Sequence, residues 1–95
     1  MSLNEYFGAE KIDLAHVRFT PELLSSIPAE VARSYRVLPI HDEPPFPLRV
    51  AFADPIDLEA VEKTHFLLKR DLELRIADPQ QVDEFIEQLY RSTNT

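Results

Sequence analysis

A chain of 95 residues with 44% hydrophobic content and a net charge of −7 is one small folded domain, and its acidity opposes the phosphate contacts of a nucleic-acid binder. It has no cysteine, which removes disulfides, thiolate catalysis and cysteine zinc sites. Gly8 is its one glycine, so no glycine-rich phosphate loop of the GxxxxGK[ST] or GxGxxG kind exists here.

Residues 1–11 carry little pattern and are assigned no element; the rest of the single 1–95 domain is patterned throughout. Apolar residues Ile12, Leu14, Val17 and Phe19 alternate with one slip, which predicts a short edge strand or extended arm. Thr20-Pro21-Glu22 starts a helix by a cap followed by proline, and Ser26-Ile27-Pro28 breaks it and starts another that runs to Tyr35. Arg36 to Ile40 reads as a strand, and Pro39 within it points to a sheet edge. His41 to Pro47 (HDEPPFP) is a stiff loop, after which Leu48 to Phe52 returns as the second strand of an antiparallel hairpin.

A helix is expected from Asp54-Pro55 to about Lys69, with Leu58, Val61, His65 and Leu68 on its apolar stripe. A right-handed crossover then places Leu72 to Ile76 parallel to the 48–52 strand. Asp78-Pro79 opens the last helix, in which Val82, Phe85, Ile86, Leu89 and Tyr90 form one face. The expected fold class is α+β, in the order α-β-β-α-β-α, with a small three-stranded mixed sheet and helices packed mainly on one face. No apolar run approaches the roughly 18–20 residues that span a bilayer and no signal-peptide pattern is seen, so a cytoplasmic domain without direct membrane insertion is expected.

One phrase occurs twice: Leu48-Arg-Val-Ala-Phe-Ala53-Asp54-Pro55 and Leu72-Glu-Leu-Arg-Ile-Ala77-Asp78-Pro79, offset by 24 positions. Aspartate is a preferred N-cap acceptor and proline is pre-set for the first helical position, so Asp-Pro is a strand-to-helix switch. Asp54 with Asp57, and Asp78 with Gln81, read as capping pairs at N-cap and N3, where the helix dipole favours negative charge. A metal or acid–base reading of these carboxylates fits less well, because glutamine is useless as an acid. His16, His41 and His65 are scattered, and His65 is expected to be a partly buried structural residue. No catalytic residue, metal set or cofactor is expected.

Two features suit binding. Arg33, Tyr35 and Arg36 form a basic, aromatic cluster able to meet a phosphate or an acidic partner, unless the abundant carboxylates pair with it locally. Phe46, between Pro45 and Pro47, is either an exposed contact or folded back onto the sheet.

Three stretches follow one another in a specific order and spacing: Ile27-Pro28-Ala29-Glu30-Val31-Ala32-Arg33-Ser34-Tyr35-Arg36-Val37-Leu38-Pro39-Ile40, then Val50-Ala51-Phe52-Ala53-Asp54-Pro55-Ile56-Asp57-Leu58-Glu59-Ala60, then Ala77-Asp78-Pro79 with Val82, Ile86 and Tyr90. Together they resemble the N-terminal domain of type II secretion and type IV pilus assembly ATPases, the secretion protein E family. Phe7-Gly8 followed by Ile12-Asp13-Leu14 is similar to that family's entry into the domain. The resemblance implies a non-catalytic module ahead of a hexameric secretion ATPase, with hydrolysis in a separate domain of the parent chain. It implies docking on the cytoplasmic domain of an inner-membrane platform protein, hence a cytoplasmic place, peripheral to the membrane through that partner.

The resemblance implies that some members of the wider family bind cyclic di-GMP through this region, using upstream helical repeats that begin Arg-Leu-Gly with a downstream glutamine. Residues before Phe7 hold no such repeat, and the alternative of a cyclic di-GMP sensor rests on Arg33, Tyr35 and Arg36. The family has glycine in the hairpin turn and at the end of the central helix. This chain has HDEPPFP and Lys69-Arg70 there, so a left-handed residue at Lys69 or Arg70 is expected.

Overall fold

A computed structural model describes residues 10–90, so most of the 1–11 arm, and Phe7-Gly8 with it, lies outside the described residues. The repeated phrase is the centre of the fold. Strand β3 (Leu48–Ala53) and strand β4 (Leu72–Ala77) pair in parallel, from Leu48 opposite Leu72 to Ala53 opposite Ala77. The register offset is the sequence offset, so the two copies of the phrase lie side by side. Strand β2 (Val37–His41) pairs antiparallel with β3, with a register shift between Pro39 and His41. Pro39 therefore sits on an edge strand, where its missing N–H costs least.

The other edge carries a strand that periodicity did not reveal. β1 (Glu10–Lys11) pairs in parallel with β4 at Arg75 and Ile76, and the Ile12 N–H extends the ladder to the Ile76 carbonyl at 2.9 Å. The sheet thus has four strands in the order β1-β4-β3-β2, one more than expected. Two residues are too short a segment for alternation to register. The extended Ile12–Phe19 arm is also corrected. Asp13 accepts a bond from the Ala15 N–H at 2.9 Å and starts a 3-10 turn at Leu14–His16 that buries Leu14 completely. A short aspartate side chain competing for nearby backbone N–H groups is the physical reason the strand stops.

Helix α1 (Pro21–Leu24) is capped by the Thr20 hydroxyl, which accepts from the Leu23 N–H at 3.1 Å. Helix α2 (Ala29–Tyr35) ends at Arg36, which adopts φ 53° and ψ 57°. Helix α3 (Leu58–Leu68) starts three residues later than its Asp-Pro signal suggested. Asp54 is still on the ladder, its N–H bonded to the Ala77 carbonyl at 2.9 Å, and the helix begins only beyond it. Asp57 is the N-cap and accepts from the Glu59 N–H at 3.0 Å, while the Asp54 carboxylate lies 3.8 Å from the Lys11 ammonium. The later start moves the stripe: Ala60, Val61 and Thr64 are buried and His65 is exposed, correcting the partly buried His65. His65 Nδ1 instead lies 2.6 Å from the Arg70 carbonyl, beyond the helix end.

Helix α4 (Pro79–Leu89) begins where the phrase says, with the Asp78 carboxylate accepting from the N–H groups of Gln80 and Gln81 at 2.8 and 3.4 Å. Gln81 does not reach back to complete a capping box. Its carbonyl accepts from the Leu14 N–H at 3.0 Å and its amide donates to Asp13 at 2.8 Å, tying α4 to the 3-10 turn. Phe19 packs on Phe85 with ring centroids 5.8 Å apart beside that tie. At the far end of α4, Tyr90 is buried and its hydroxyl lies within 3.3 Å of the Leu24 and Ile27 carbonyls. Burial pushes its pKa up to about 12.

The core combines Leu14, Ile27, Val37, Leu38, Leu48, Val50, Phe52, Val61 and Val82, all essentially removed from water. Each large apolar side chain so buried contributes roughly 1.5–3 kcal/mol.

The expected left-handed residue is Lys69, at φ 55° and ψ 38°, which closes α3 with its N–H on the His65 carbonyl at 2.9 Å. A side chain with a Cβ is strained there relative to glycine. Lys69→Gly should therefore raise unfolding stability by about 0.5–1 kcal/mol, whereas Lys69→Val should lower it, as read by urea unfolding.

Candidate docking surfaces

The basic cluster divides between two neighbours. Arg36 donates from Nε and Nη2 to the two carboxylate oxygens of Asp83, both at 2.8 Å, and from Nη2 to the Pro79 carbonyl at 3.2 Å. Arg33 Nη2 donates to the Tyr90 carbonyl at 3.3 Å. Both arginines thus reach α4, while Tyr35 lines a shallow groove of about 260 Å³ with Glu59, Glu62, Lys63, Phe66 and Leu67 of α3. The Arg36 guanidinium lies over the start of α4, where its bidentate fork matches the Asp83 carboxylate. Lys63 forms an i,i+4 pair with Glu59 at 3.0 Å, and that bond raises the Lys63 pKa.

A larger open groove of about 810 Å³ runs between β1, the 3-10 turn, α1 and the end of β2, and Arg49 and Arg75 contribute to it from the sheet. These residues carry no motif and were not singled out from the sequence. The available signal was period two: Arg49 faces Glu73 across β3 and β4, and Glu73 and Arg75 alternate onto the same face. Arg75 Nη2 lies 2.8 Å from Glu73, and Arg49 Nε lies 3.3 Å from the other carboxylate oxygen, close enough for an ion pair but without an aligned hydrogen bond. The Arg75 bond, then burial working against it, then Arg49 set the Glu73 carboxyl below its usual range. Lys11, Arg18, Glu10 and Glu22 at the rim give the groove charges of both signs.

The proline loop settles the question left at Phe46. Its ring is 64% exposed and does not fold back on the sheet. The loop beneath it is fastened at both ends. Asp42 holds Arg70 through bonds of 2.8 and 3.1 Å and accepts from the Ser26 hydroxyl at 2.9 Å. The Phe46 N–H bonds to the Glu43 carbonyl at 2.9 Å, and the Leu48 N–H bonds to the Asp71 carbonyl at 3.1 Å. Arg70, the first cause, and Ser26 hold the Asp42 carboxyl below its usual range against the opposing effect of burial. Phe66 and Leu67 on α3 are two further exposed large apolar residues, at 75% and 50%.

Among the described residues no group of three or more histidines and carboxylates is placed to hold a metal ion. No described helix is long and apolar enough to cross a membrane.

Ion pairs join segments distant in sequence, and two exposed apolar sites and an open groove are left on the surface. Residues 6–95 match the MshEN domain, and the chain belongs to that family, that of the N-terminal domains of type II secretion and type IV pilus assembly ATPases. It is 31% identical over 88 residues to the type IV pilus assembly ATPase PilB of Myxococcus xanthus (strain DK1622), covering 93% of this chain and 15% of that protein. A solved structure of MshE with cdg matches it with a TM-score of 0.78 at 28% identity, covering 93% of this chain and 63% of that one. The N-terminal domain of XpsE shares the fold, with a TM-score of 0.68 at 19% identity over 90% of this chain and 60% of that one.

Two outcomes follow from the ion pairs. In a double-mutant cycle of Arg36→Ala and Asp83→Ala, a coupling of about 0.5–1 kcal/mol is expected, shrinking as salt is added, because both partners are half exposed. Asp42 and Glu73 have folded pKa values below their unfolded ones, so their stabilisation is fully present above the ordinary carboxylate range. It is lost as pH falls out of that range and through the lower folded values. Asp42→Asn should lower stability at neutral pH and flatten that acid limb in pH-dependent urea unfolding.

Proposed function

We propose that this chain is a non-catalytic docking and regulatory module of a type II secretion or type IV pilus assembly ATPase, and that it binds the cytoplasmic domain of an inner-membrane platform protein. The observation that carries the reading is family membership over residues 6–95, set beside a pilus assembly ATPase of which the chain spans only 15%. Nucleotide hydrolysis belongs, in this reading, to the rest of such a parent chain, since the single glycine here leaves no phosphate loop. The whole of residues 1–95 acts as one module, at work in the cytoplasm and held at the membrane only through its partner. The ion pairs, partly exposed, join segments of the fold, and the exposed apolar residues Phe46, Phe66 and Leu67 are left for contact.

A second reading is favoured by one observation: the relative MshE was solved with cdg, cyclic di-GMP. In that reading Arg33, Tyr35 and Arg36 contact the nucleotide. Arg36 would first have to leave Asp83 and the Pro79 carbonyl, which counts against it.

Two measurements decide between them. Light scattering after gel filtration should show a stoichiometric complex of this chain with the cytoplasmic domain of the platform protein from its own operon. Failure to co-elute would sink the docking reading. Calorimetric titration with cyclic di-GMP should give no heat up to millimolar ligand. Micromolar binding abolished by Arg33→Ala would instead make the domain a second-messenger sensor.

A further inference from the structure

Phe46 is an aromatic residue at the tip of a loop that has little freedom left to lose. Pro44, Pro45 and Pro47 surround it, and all are exposed. Asp42 anchors the loop to Arg70 of the α3–β4 junction and to Ser26, and the Asp71 carbonyl anchors its other end. An exposed aromatic normally gains little by being buried in a partner, because ordering its loop offsets the contact. Where the loop is already fixed by proline and side-chain bonds, that cost is largely removed and the ring becomes an efficient anchor.

The surroundings of the ring choose the partner's charge. Pro44, Pro45, Phe46 and Pro47 share a shallow depression of about 280 Å³ with Arg70 and Asp71. Arg70 is committed to Asp42, and that bond raises its own pKa further. Glu43 is 66% exposed in its side chain but lies 3.1 Å from His41 Nε2, so the exposed Asp71 is the outward carboxylate beside the ring, on a chain that already carries −7. A neutral or acidic partner gains nothing from it, whereas a basic one is steered and oriented by it.

We infer that Phe46 is the anchor of the docking surface and that it inserts into an apolar pocket bordered by lysine or arginine on the partner protein. This rests on the docking reading above and adds the residue, the loop and the partner's chemistry to it. Phe66, exposed on α3, lines the other groove with Tyr35 and Lys63 and is not among the residues around Phe46, so the inference gives it no part in the anchor contact.

The chain, its Phe46→Ala, Asp71→Asn and Phe66→Ala variants, and the platform protein's cytoplasmic domain suffice for the test by calorimetric titration. Thermal melts come first, and Phe46→Ala is expected to melt with the parent because its ring is outside the core. Binding by the parent chain that weakens about tenfold or more in Phe46→Ala, stays within about twofold in Phe66→Ala, and loses part of its salt dependence in Asp71→Asn supports the inference. Binding that is indifferent to Phe46→Ala overturns it while leaving the docking reading intact. An unchanged salt dependence in Asp71→Asn overturns the basic rim. No heat from the parent chain removes the docking reading itself, and the anchor with it.

Discussion

The parallel pairing of β3 with β4, residue for residue at an offset of 24, is the constraint on which the rest of the molecule depends. Parallel neighbours cannot be joined by a tight turn, so the chain must leave the sheet, cross it and return, and α3 is that crossing. The pairing ends with Ala53 opposite Ala77, two small side chains from which the chain leaves the sheet twice at the same end. Asp54 adds one more ladder bond, to the Ala77 carbonyl, before its segment departs. Its counterpart Asp78 has no such bond to make and turns directly into α4. Two copies of one phrase therefore behave differently because one sits deeper in the sheet than the other.

The polar interactions follow from that arrangement. Elements that the pairing brings close are distant in sequence, and the chain uses charged groups to hold them. Arg36 clamps Asp83 across 47 positions, Arg70 clamps Asp42 across 28, and Gln81 reaches Asp13 across 68. Each is partly exposed, so each contributes modestly on its own. Their effect is to fix how α2, the hairpin loop and the 3-10 turn sit against the sheet. Pairing arginines with carboxylates in a chain of net charge −7 has a second consequence: the excess charge on the surface is carboxylate, which is poorly suited to a nucleic-acid backbone.

Much of this was readable in the sequence, for physical reasons that differ from place to place. The hairpin, the crossover and α4 were visible because their apolar periods are long and because Asp-Pro is a local signal. The edge position of Pro39 followed from a missing N–H, and a left-handed residue at Lys69 or Arg70 from the lack of the glycine that the resembled family has at that helix end. What escaped depended on tertiary contact. β1 exists only because β4 is there to pair with it, the delayed start of α3 depends on a ladder bond from Asp54, and Gln81 is a tie rather than a cap because the 3-10 turn lies within its reach. Arg36 gave no hint of its left-handed backbone, since its conformation is compensated by Asp83, a partner far along the chain. Arg49 and Arg75 were overlooked for a related reason: charges on one face of two strands become a pair of arginines around one glutamate only when the register is known.

A chain with a single glycine and eight prolines has few places to bend, and the structure shows how it manages. Left-handed corners are taken by Lys69 and Arg36, one carrying its strain openly and the other offsetting it with a bidentate ion pair. The hairpin, where a glycine turn would be the short solution, is instead a longer proline-braced loop. Such a loop costs nothing in fold if it is tied down, and Asp42, Arg70 and the Leu48–Asp71 backbone bond tie it. The same ties leave its tip projecting and fixed. Rigidity that the fold needed for lack of glycine is thereby transferred to the surface, and it falls on the loop whose aromatic residue stands clear of the core.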